Sequence, residues 1–309
     1  MDLRHLRYFL AVAEEGHVTR AAERLGIQQP PLSQQIRALE DELEVRLFRR
    51  LPRGVELTDA GRALAGDARR ILADVEAARA RVERTARGEE GRIVVGFTSS
   101  APFHPFVPGA LSAFREANPR VSVALEEGGT ADLVEALRAE RLDAAFIRSD
   151  VPGGEGIGVY PLLEEPMTAA LPRRHPLARG ARRRPLALKD LAGEPFVLYR
   201  RASGPGLFDA ILGACRAAGF APNIEQEAPR ITATLNLVAA GLGVTIVPES
   251  LSVLRLDGVA YRPLEGGHGL AAPIRLACRT ADHSAAARAF VAAARRRARE
   301  QGKGPHRPA

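Results

Sequence analysis

The apolar positions near the amino terminus recur at steps of three and four residues, which is the period of an α-helix with one buried face. The first such run consists of Leu3, Leu6, Leu10 and Ala13. It predicts a helix that ends before Gly16. The second run consists of Val18, Ala21, Ala22 and Leu25. Gly26 follows it and has the conformational freedom that commonly closes a helix.

A third helix is predicted to begin at Pro30-Pro31, because proline in the first turn of a helix loses no intrahelical hydrogen bond. Its inward stripe consists of Leu32, Ile36, Leu39 and Leu43. The polar side chains left outward near its amino-terminal end are Gln29, Ser33, Gln34 and Arg37. This arrangement is typical of a helix-turn-helix whose second helix enters the major groove of DNA. A generic three-helix bundle with a solvated polar face is the alternative.

The alternation in Leu47–Arg49 and Val55–Leu57 predicts a β-hairpin with its turn at Pro52-Arg53-Gly54. A basic hairpin after the third helix would act as a wing and bring Arg53 near phosphate or the minor groove. The sequence therefore favours a winged helix-turn-helix over the generic bundle.

Thr58 is suited to cap a long helix that continues to Arg87, over 30 positions. Such a helix is about 45 Å long. Its regularly spaced apolar residues are Leu64, Ala68, Ile71, Val75, Ala78 and Val82. The spacing indicates a coiled-coil seam between two copies of the chain, and packing against its own domain is the alternative.

After Gly91 strand and helix patterns alternate. Strands are predicted at 92–97, 121–126 and 144–147, and helices at 103–117 and 131–140. This βαβαβ order favours a parallel sheet, with ligands beyond the carboxyl ends of the strands. The residues at those ends are Ser99, Ser100, Gly128, Gly129, Thr130 and Arg148. Hydroxyls and a guanidinium at helix amino termini predict an anion site, best suited to a carboxylate; helix capping and a solvated arginine are the alternatives.

A second α/β unit is predicted between residues 164 and 265. Its strands are expected at 167–171, 196–199 and 244–247, and its helices at 206–218 and 231–240. A strand at 274–278 and a helix at 284–297 would return to the first unit. Two lobes with a cleft between them are typical of proteins that close around a small ligand. The arginine-rich stretch 173–184 is expected to be an exposed loop.

Charge and composition narrow the possible functions. The 309-residue chain has a net charge of +7, yet residues 1–90 hold 16 arginines and 16 acidic residues. The DNA hypothesis therefore depends on motif geometry, and the basic stretch 288–307 is interpreted as a frayed, solvated tail. No apolar run approaches the length of a membrane span, and we expect the cytoplasm. Cys215 and Cys278 are expected to be reduced thiols in the core.

No catalytic, metal or cofactor motif is present in the sequence. Gly154, Gly156 and Gly158 share the spacing of part of a dinucleotide-binding motif, but they open no predicted helix and are interpreted as a loop.

Four segments resemble the LysR-type transcriptional regulators: Leu3–Phe9, Ala21–Leu25, Gln29–Ser33 and Leu57–Gly61. The resemblance implies a winged helix-turn-helix, a dimerising linker helix and contacts to DNA. The residues expected to contact DNA are Gln29, Pro30, Pro31, Ser33, Gln34, Arg37 and Arg53. His17 stands where the family usually has a serine or threonine cap, and Gln34 where many members have arginine.

The remainder resembles the periplasmic-binding-like effector domain of the same family. Segments 96–100, 129–130 and 143–148 are similar to the branch that responds to intermediates of aromatic-compound degradation. The resemblance implies that a muconate-like carboxylate binds between the lobes, at Ser99, Ser100, Thr130, Arg148, Pro205 and Leu207. Leu207 replaces an aromatic residue that is common in that branch.

The sequence thus predicts a DNA-binding domain at 1–57, a linker helix at 58–90 and an effector domain at 91–309. Within the effector domain, one lobe comprises 91–163 and 266–309 and the other 164–265. The expected partners are an operator in double-stranded DNA, the carboxylate effector, RNA polymerase and further copies of the chain in a dimer or tetramer. A cytoplasmic enzyme and a free-standing solute-binding module are the alternatives.

Overall fold

The computed structural model describes residues 1–151, 156–179, 184–265, 270–282 and 284–302. The chain divides into two compact units, Met1–Arg84 and Thr85–Ala309. Among the described residues, no helix combines the length and the apolar character required to cross a membrane.

The first unit contains the predicted helices and hairpin. Its elements are α1 (Leu3–Glu15), α2 (Val18–Leu25), α3 (Gln29–Glu42), β1 (Phe48–Leu51), β2 (Gly54–Leu57) and α4 (Asp59–Ala86). Leu6, Phe9, Leu32 and Leu39 are buried in its core. Leu43 is not inward as predicted: it is 37% exposed, because α3 ends at Glu42 and Leu43 is only its C-cap.

Side-chain caps fix the starts of α2 and α4. His17 caps α2, since its Nδ1 accepts a hydrogen bond from the Thr19 amide at 3.2 Å. At this position an imidazole therefore makes the cap bond for which a serine or threonine hydroxyl is the usual group. The Thr58 hydroxyl accepts a hydrogen bond from the Gly61 amide at 3.0 Å, as its predicted capping role requires.

The apolar stripe of α4 divides into two parts. Ala68 is fully buried and Leu64 packs beside it against the core of the first unit, which corresponds to the alternative interpretation of this helix. Further along, Ile71 and Val82 are exposed, Val82 by 69%. Only the later part of the stripe is thus free in the single chain to meet another copy.

The second unit contains a mixed sheet, a parallel strand pair and helices on both lobes. Its elements are β3 (Glu90–Phe97), α5 (Phe106–Ala117), β4 (Arg120–Glu127), α6 (Thr130–Arg138), β5 (Ala144–Ile147), β6 (Ile157–Pro172), β7 (Pro195–Tyr199), α7 (Pro205–Ala217), β8 (Asn223–Ala228), α8 (Ile231–Ala239), β9 (Thr245–Pro248), β10 (Val259–Pro263), β11 (Ala271–Arg279) and α9 (Ala285–Gly302).

The predicted βαβαβ unit is present, because β3 pairs in parallel with both β4 and β5. The sheet as a whole is mixed, since β11 pairs antiparallel with β5 and β6. The far half of β6 pairs with β9 and β10, so this strand runs through both lobes. β7 and β8 pair in parallel with each other. The lobes are thereby joined through one continuous strand.

Each lobe has its own apolar core. In the first lobe, Phe106, Phe114, Phe146 and Phe290 meet edge to face, with ring centroids 5.2–6.5 Å apart, and hold α5 and α9 on the sheet. The second core lies around β7, β9, α7 and α8. Cys278 is buried in the first core and Cys215 in the second, and both are free thiols, as predicted.

Two expectations about local structure require correction. The stretch after 288 is not a frayed tail up to residue 302, because Phe290, Ala294 and Ala298 of α9 are buried; residues 303–309 lie outside the described part. Gly158 lies in β6 and not in a loop, while Gly156 forms a turn and Gly154 is outside the described residues. The stretch 173–184, expected to be an exposed loop, has exposed arginines at Arg173, Arg174 and Arg179 and a short 3₁₀ turn at Pro176–Ala178; residues 180–183 are outside the described part.

Candidate functional site

The amino-terminal end of α3 presents the polar face that the sequence predicts. Most of the candidate DNA-contacting residues are exposed: Gln29, Pro30, Pro31, Gln34 and Arg37 on the helix, and Arg53 at the hairpin turn. Ser33 is half-buried, and its hydroxyl accepts a hydrogen bond from the side-chain Nε2 of Gln29 at 3.4 Å.

A cleft of about 690 Å³ lies between α3 and the hairpin. Its walls include the predicted Ser33 and Arg37 together with Arg46 and Arg50, which sequence reasoning missed. Arg50 lies on β1, and nothing in its local pattern distinguishes it from the neighbouring Arg49. Only the fold shows that Arg50 shares the cleft, whereas Arg49 is paired with Glu56 at 2.6 Å.

Glu40 joins α3 to the hairpin. Its carboxylate accepts hydrogen bonds from the amides of Leu47 at 2.8 Å and Phe48 at 3.1 Å, and it pairs with Arg46 at 2.8 Å. Burial opposes ionisation of this carboxyl group, but the bonds from Arg46 and the two amides outweigh burial and lower the pKa of Glu40. An ionised, buried side chain on α3 thus fixes the position of the first strand of the hairpin relative to that helix.

The hairpin is also fixed against the turn between α1 and α2. The Val55 amide donates a hydrogen bond to the carbonyl of Gly16 at 2.9 Å. Gly54 has a φ of +109°, and a Cβ there would lie only 2.3 Å from the same carbonyl oxygen. Glycine at position 54 is therefore required by both conformation and space.

A second candidate site is a pocket between the lobes of the effector domain. Most of the predicted effector residues line it: Ser99, Ser100, Thr130, Arg148 and Leu207. Pro205 does not line it, although it begins α7 between Gly204 and Gly206, which do. The space in this pocket that can hold the centre of a water molecule is only about 20 Å³. In this conformation the pocket is narrow, with room for about one water molecule.

Helix capping was the alternative interpretation of the Ser100 and Thr130 hydroxyls, and neither of them caps a helix. Thr130 is the first residue of α6, whose N-cap is Gly129, and the Ser100 hydroxyl makes no cap bond to the 3₁₀ turn that follows it. The Ser100 hydroxyl instead accepts a hydrogen bond from Arg148, and Thr130 lies 3.4 Å from the Ser149 hydroxyl. Both are therefore oriented within the pocket.

Arg148 is neither solvated nor a free charge. It is 4% exposed and pairs at 2.6 Å with Glu165, which is 5% exposed. It also donates to the Ser100 hydroxyl and to the carbonyls of Ser100 and Ala272. Burial lowers the pKa of Arg148, and Glu165 opposes that effect. Sequence reasoning missed Glu165, which also accepts hydrogen bonds from the amide and hydroxyl of Ser250.

Thr98 is a further pocket residue that sequence reasoning missed. It is 5% exposed, and its hydroxyl has no hydrogen-bond partner within the described chain. A buried hydroxyl without a partner costs free energy, so it is suited to bond with a bound molecule. The opposite wall includes Tyr199, whose hydroxyl donates to the Gly204 carbonyl at 2.9 Å. Two sequence signals pointed to this position: the strand-end serines that follow Thr98, and the family resemblance of segment 96–100, which contains it.

A winged helix-turn-helix followed by a two-lobed α/β domain with an interlobe pocket defines a DNA-binding transcription regulator. Residues 3–62 match the bacterial regulatory helix-turn-helix protein, lysR family, and residues 86–299 match the LysR substrate binding domain. The chain belongs to the LysR family of transcriptional regulators.

Curated relatives and solved structures agree with this assignment. The chain is 39% identical to the HTH-type transcriptional regulator BudR of Raoultella terrigena, over 94% of this chain and 99% of that protein. It is 39% identical to the regulator TfdS of Cupriavidus pinatubonensis, over 96% of this chain and 98% of that protein. The crystal structure of full-length CbnR with its target DNA has a TM-score of 0.84 and 32% identity, covering 96% of this chain and 100% of that chain.

These comparisons confirm the predicted fold and the resemblance to the aromatic-degradation branch, to which TfdS and CbnR belong. They also confirm the general function, a LysR-type regulator with an effector-binding domain. The alternatives of an enzyme and of a free-standing solute-binding module are not favoured.

Proposed function

We propose that this regulator binds operator DNA through α3 and the wing, and that a small carboxylate in the interlobe pocket changes this binding. The observation that carries the effector proposal is the narrow pocket at which the amino termini of α6 and α7 meet hydroxyl groups. Free backbone amides and the helix dipole favour negative charge there. The effector is a carboxylated intermediate of aromatic-compound degradation, such as a muconate.

The charges in the pocket determine how such a ligand is held. Because Glu165 already neutralises Arg148, the recognition of a carboxylate depends mainly on hydroxyls and backbone amides. The unpartnered Thr98 hydroxyl and Ser99 are the donors that supplement Ser100 and Thr130. Since the pocket has little room in this conformation, a six-carbon dicarboxylate requires the lobes to separate. Ligand binding is thereby coupled to a change in lobe geometry.

On the DNA side, we assign base contacts to the start of α3, at Gln29, Ser33 and Gln34, with Pro30 and Pro31 against the groove. Arg37 and Arg53 are exposed and are assigned to phosphate or groove contacts. The protein acts in the cytoplasm as a homodimer or homotetramer, with Ile71 and Val82 of α4 in the contact between copies. The change in DNA contact alters recruitment of RNA polymerase.

The test is a gel-shift titration on DNA from upstream of the protein's own gene, at fixed salt, with and without cis,cis-muconate. We expect specific binding that muconate alters, and acetate serves as a second, smaller carboxylate. If DNA binding responded to acetate and not to muconate, the carboxylate pocket would still stand, but the assignment of a ring-cleavage product as effector would be wrong. Specific binding without any carboxylate response would contradict the effector assignment, and absence of specific binding would contradict the DNA proposal.

A further inference from the structure

A recess of about 760 Å³ lies on the second lobe, and arginines dominate its polar lining. Its charged and polar walls are formed by Arg173, Arg179, Ser252, Arg255, Tyr261 and Arg262. No acidic residue is among its described lining residues, and none of them belongs to the interlobe pocket. The recess is thus a separate place of concentrated positive charge.

Arg262 is the unusual member of this group, because it is only 3% exposed. Its guanidinium donates to the carbonyls of Leu177 and Arg184, and its Nε has no partner within the described part of the chain. Carbonyl oxygens satisfy hydrogen-bonding groups but do not neutralise the charge. A buried cation without a counter-charge is costly, as the contrast with the paired Arg148 illustrates.

The surrounding arginines are also uncompensated. Across the described ranges, no carboxylate lies within ion-pair distance of Arg173, Arg179 or Arg255, although many other exposed arginines have such partners, for example Arg201 with Asp209 at 2.6 Å. Arg255 is held in the left-handed conformation, with φ of +41°, where it closes a 3₁₀ turn. The Tyr261 hydroxyl, in the same lining, is buried and has no hydrogen-bond partner among the described residues.

We propose that this recess binds a small molecule through a phosphate or pyrophosphate group, at a site independent of the carboxylate effector. Guanidinium groups match the geometry and the multiple charge of phosphate oxygens, and four of them exceed what a monocarboxylate can neutralise. The volume is within the range of about 300–1,000 Å³ that is usual for ligand sites. A concave site with a buried cation favours a compact anion over the broad surface of a macromolecule.

The experiment is calorimetric titration of the full-length protein with pyrophosphate at constant ionic strength. The variants are Arg179→Ala and Arg255→Ala, which change exposed side chains and keep the bonds of Arg262 that brace the fold. Arg174→Ala is the matched control, since Arg174 is exposed on the same segment but does not line the recess. We expect one bound pyrophosphate per chain, and binding about tenfold weaker in each recess variant but unchanged in the control.

Titration with ADP separates the two sources of the phosphate group. Tighter binding of ADP than of pyrophosphate identifies a nucleotide, and equal or weaker binding identifies the inorganic anion. The proposal would be overturned if Arg174→Ala lost as much pyrophosphate affinity as the recess variants, or if the recess variants bound pyrophosphate as tightly as the wild type. Because cis,cis-muconate occupies another pocket, it should not compete, and competition would also overturn the independence of the two sites.

Discussion

Replacing Arg148 with alanine is expected to lower the free energy of unfolding of the effector domain by about 3–5 kcal/mol. The substitution leaves the Glu165 carboxylate buried without its counter-charge, 2.6 Å from where the guanidinium stood. The loss is measured by urea denaturation that is monitored through hydrogen exchange in peptides of the effector domain. The response to effector should fall with it. Specific DNA binding should remain, because the candidate DNA-contacting residues belong to the other compact unit.

The double variant Arg148→Met and Glu165→Gln is the control for this interpretation. It removes both charges together, and the glutamine retains an oxygen that can accept from Ser250. We expect it to recover most of the stability lost in Arg148→Ala. A double variant as unstable as the single one, or a single variant that loses less than about 1 kcal/mol, would show that the pair does not stabilise the domain in this way.

Replacing Glu40 with alanine is expected to destabilise the DNA-binding unit by about 2–3 kcal/mol, because the buried amide of Leu47 and the neighbouring amide of Phe48 lose their acceptor. DNA affinity should fall as well, since the wing is no longer fixed to α3. The pKa of Glu40 is lowered in the fold. Its stabilisation is therefore complete above the unfolded pKa of about 4.3 and disappears as the pH falls through the lower folded value.

Thermal and urea unfolding of the wild type and of Glu40→Ala, measured from about pH 3 to about pH 7, give this pH dependence. Glu23→Ala is the matched control, because Glu23 is exposed on α2 and makes no ion pair within the described residues. The difference in stability between wild type and Glu40→Ala should shrink on acidification. A difference that stays constant with pH, or an equal loss in Glu23→Ala, would contradict the role of the ionised carboxylate.

The sequence predicts the elements of this protein best where periodicity is uninterrupted. The helical repeats of α1 to α3 and the apolar strands β3 and β5 lie close to their expected positions. β6 was predicted only at 167–171, because Pro161 and Pro166 interrupt what the structure makes one strand, Ile157–Pro172. A register shift in its pairing with β11 accommodates this segment near Pro161. Its length follows from pairing with distant strands, which local patterns do not contain.

The candidate site was predictable in its location but not in its electrostatics. Strand ends and helix starts indicated Ser100, Thr130 and Arg148 at one edge of the sheet. The partner of Arg148 is Glu165, on a strand that sequence patterns missed, so the neutral state of the pair could not be foreseen. The unsatisfied hydroxyl of Thr98 likewise follows from burial, which depends on both lobes. Tertiary contacts therefore determine which group remains available to a ligand.

The most direct test of a carboxylate-controlled interlobe pocket is the affinity for upstream DNA as a function of cis,cis-muconate, in wild type and in Thr98→Val. Valine preserves shape and removes a hydroxyl that has no partner in the described chain, so stability should be equal or higher and DNA affinity without effector should not change. The account predicts a muconate midpoint about tenfold higher in the variant, the loss expected for one ligand hydrogen bond. The same midpoint in both proteins would contradict the assignment of effector binding to this pocket.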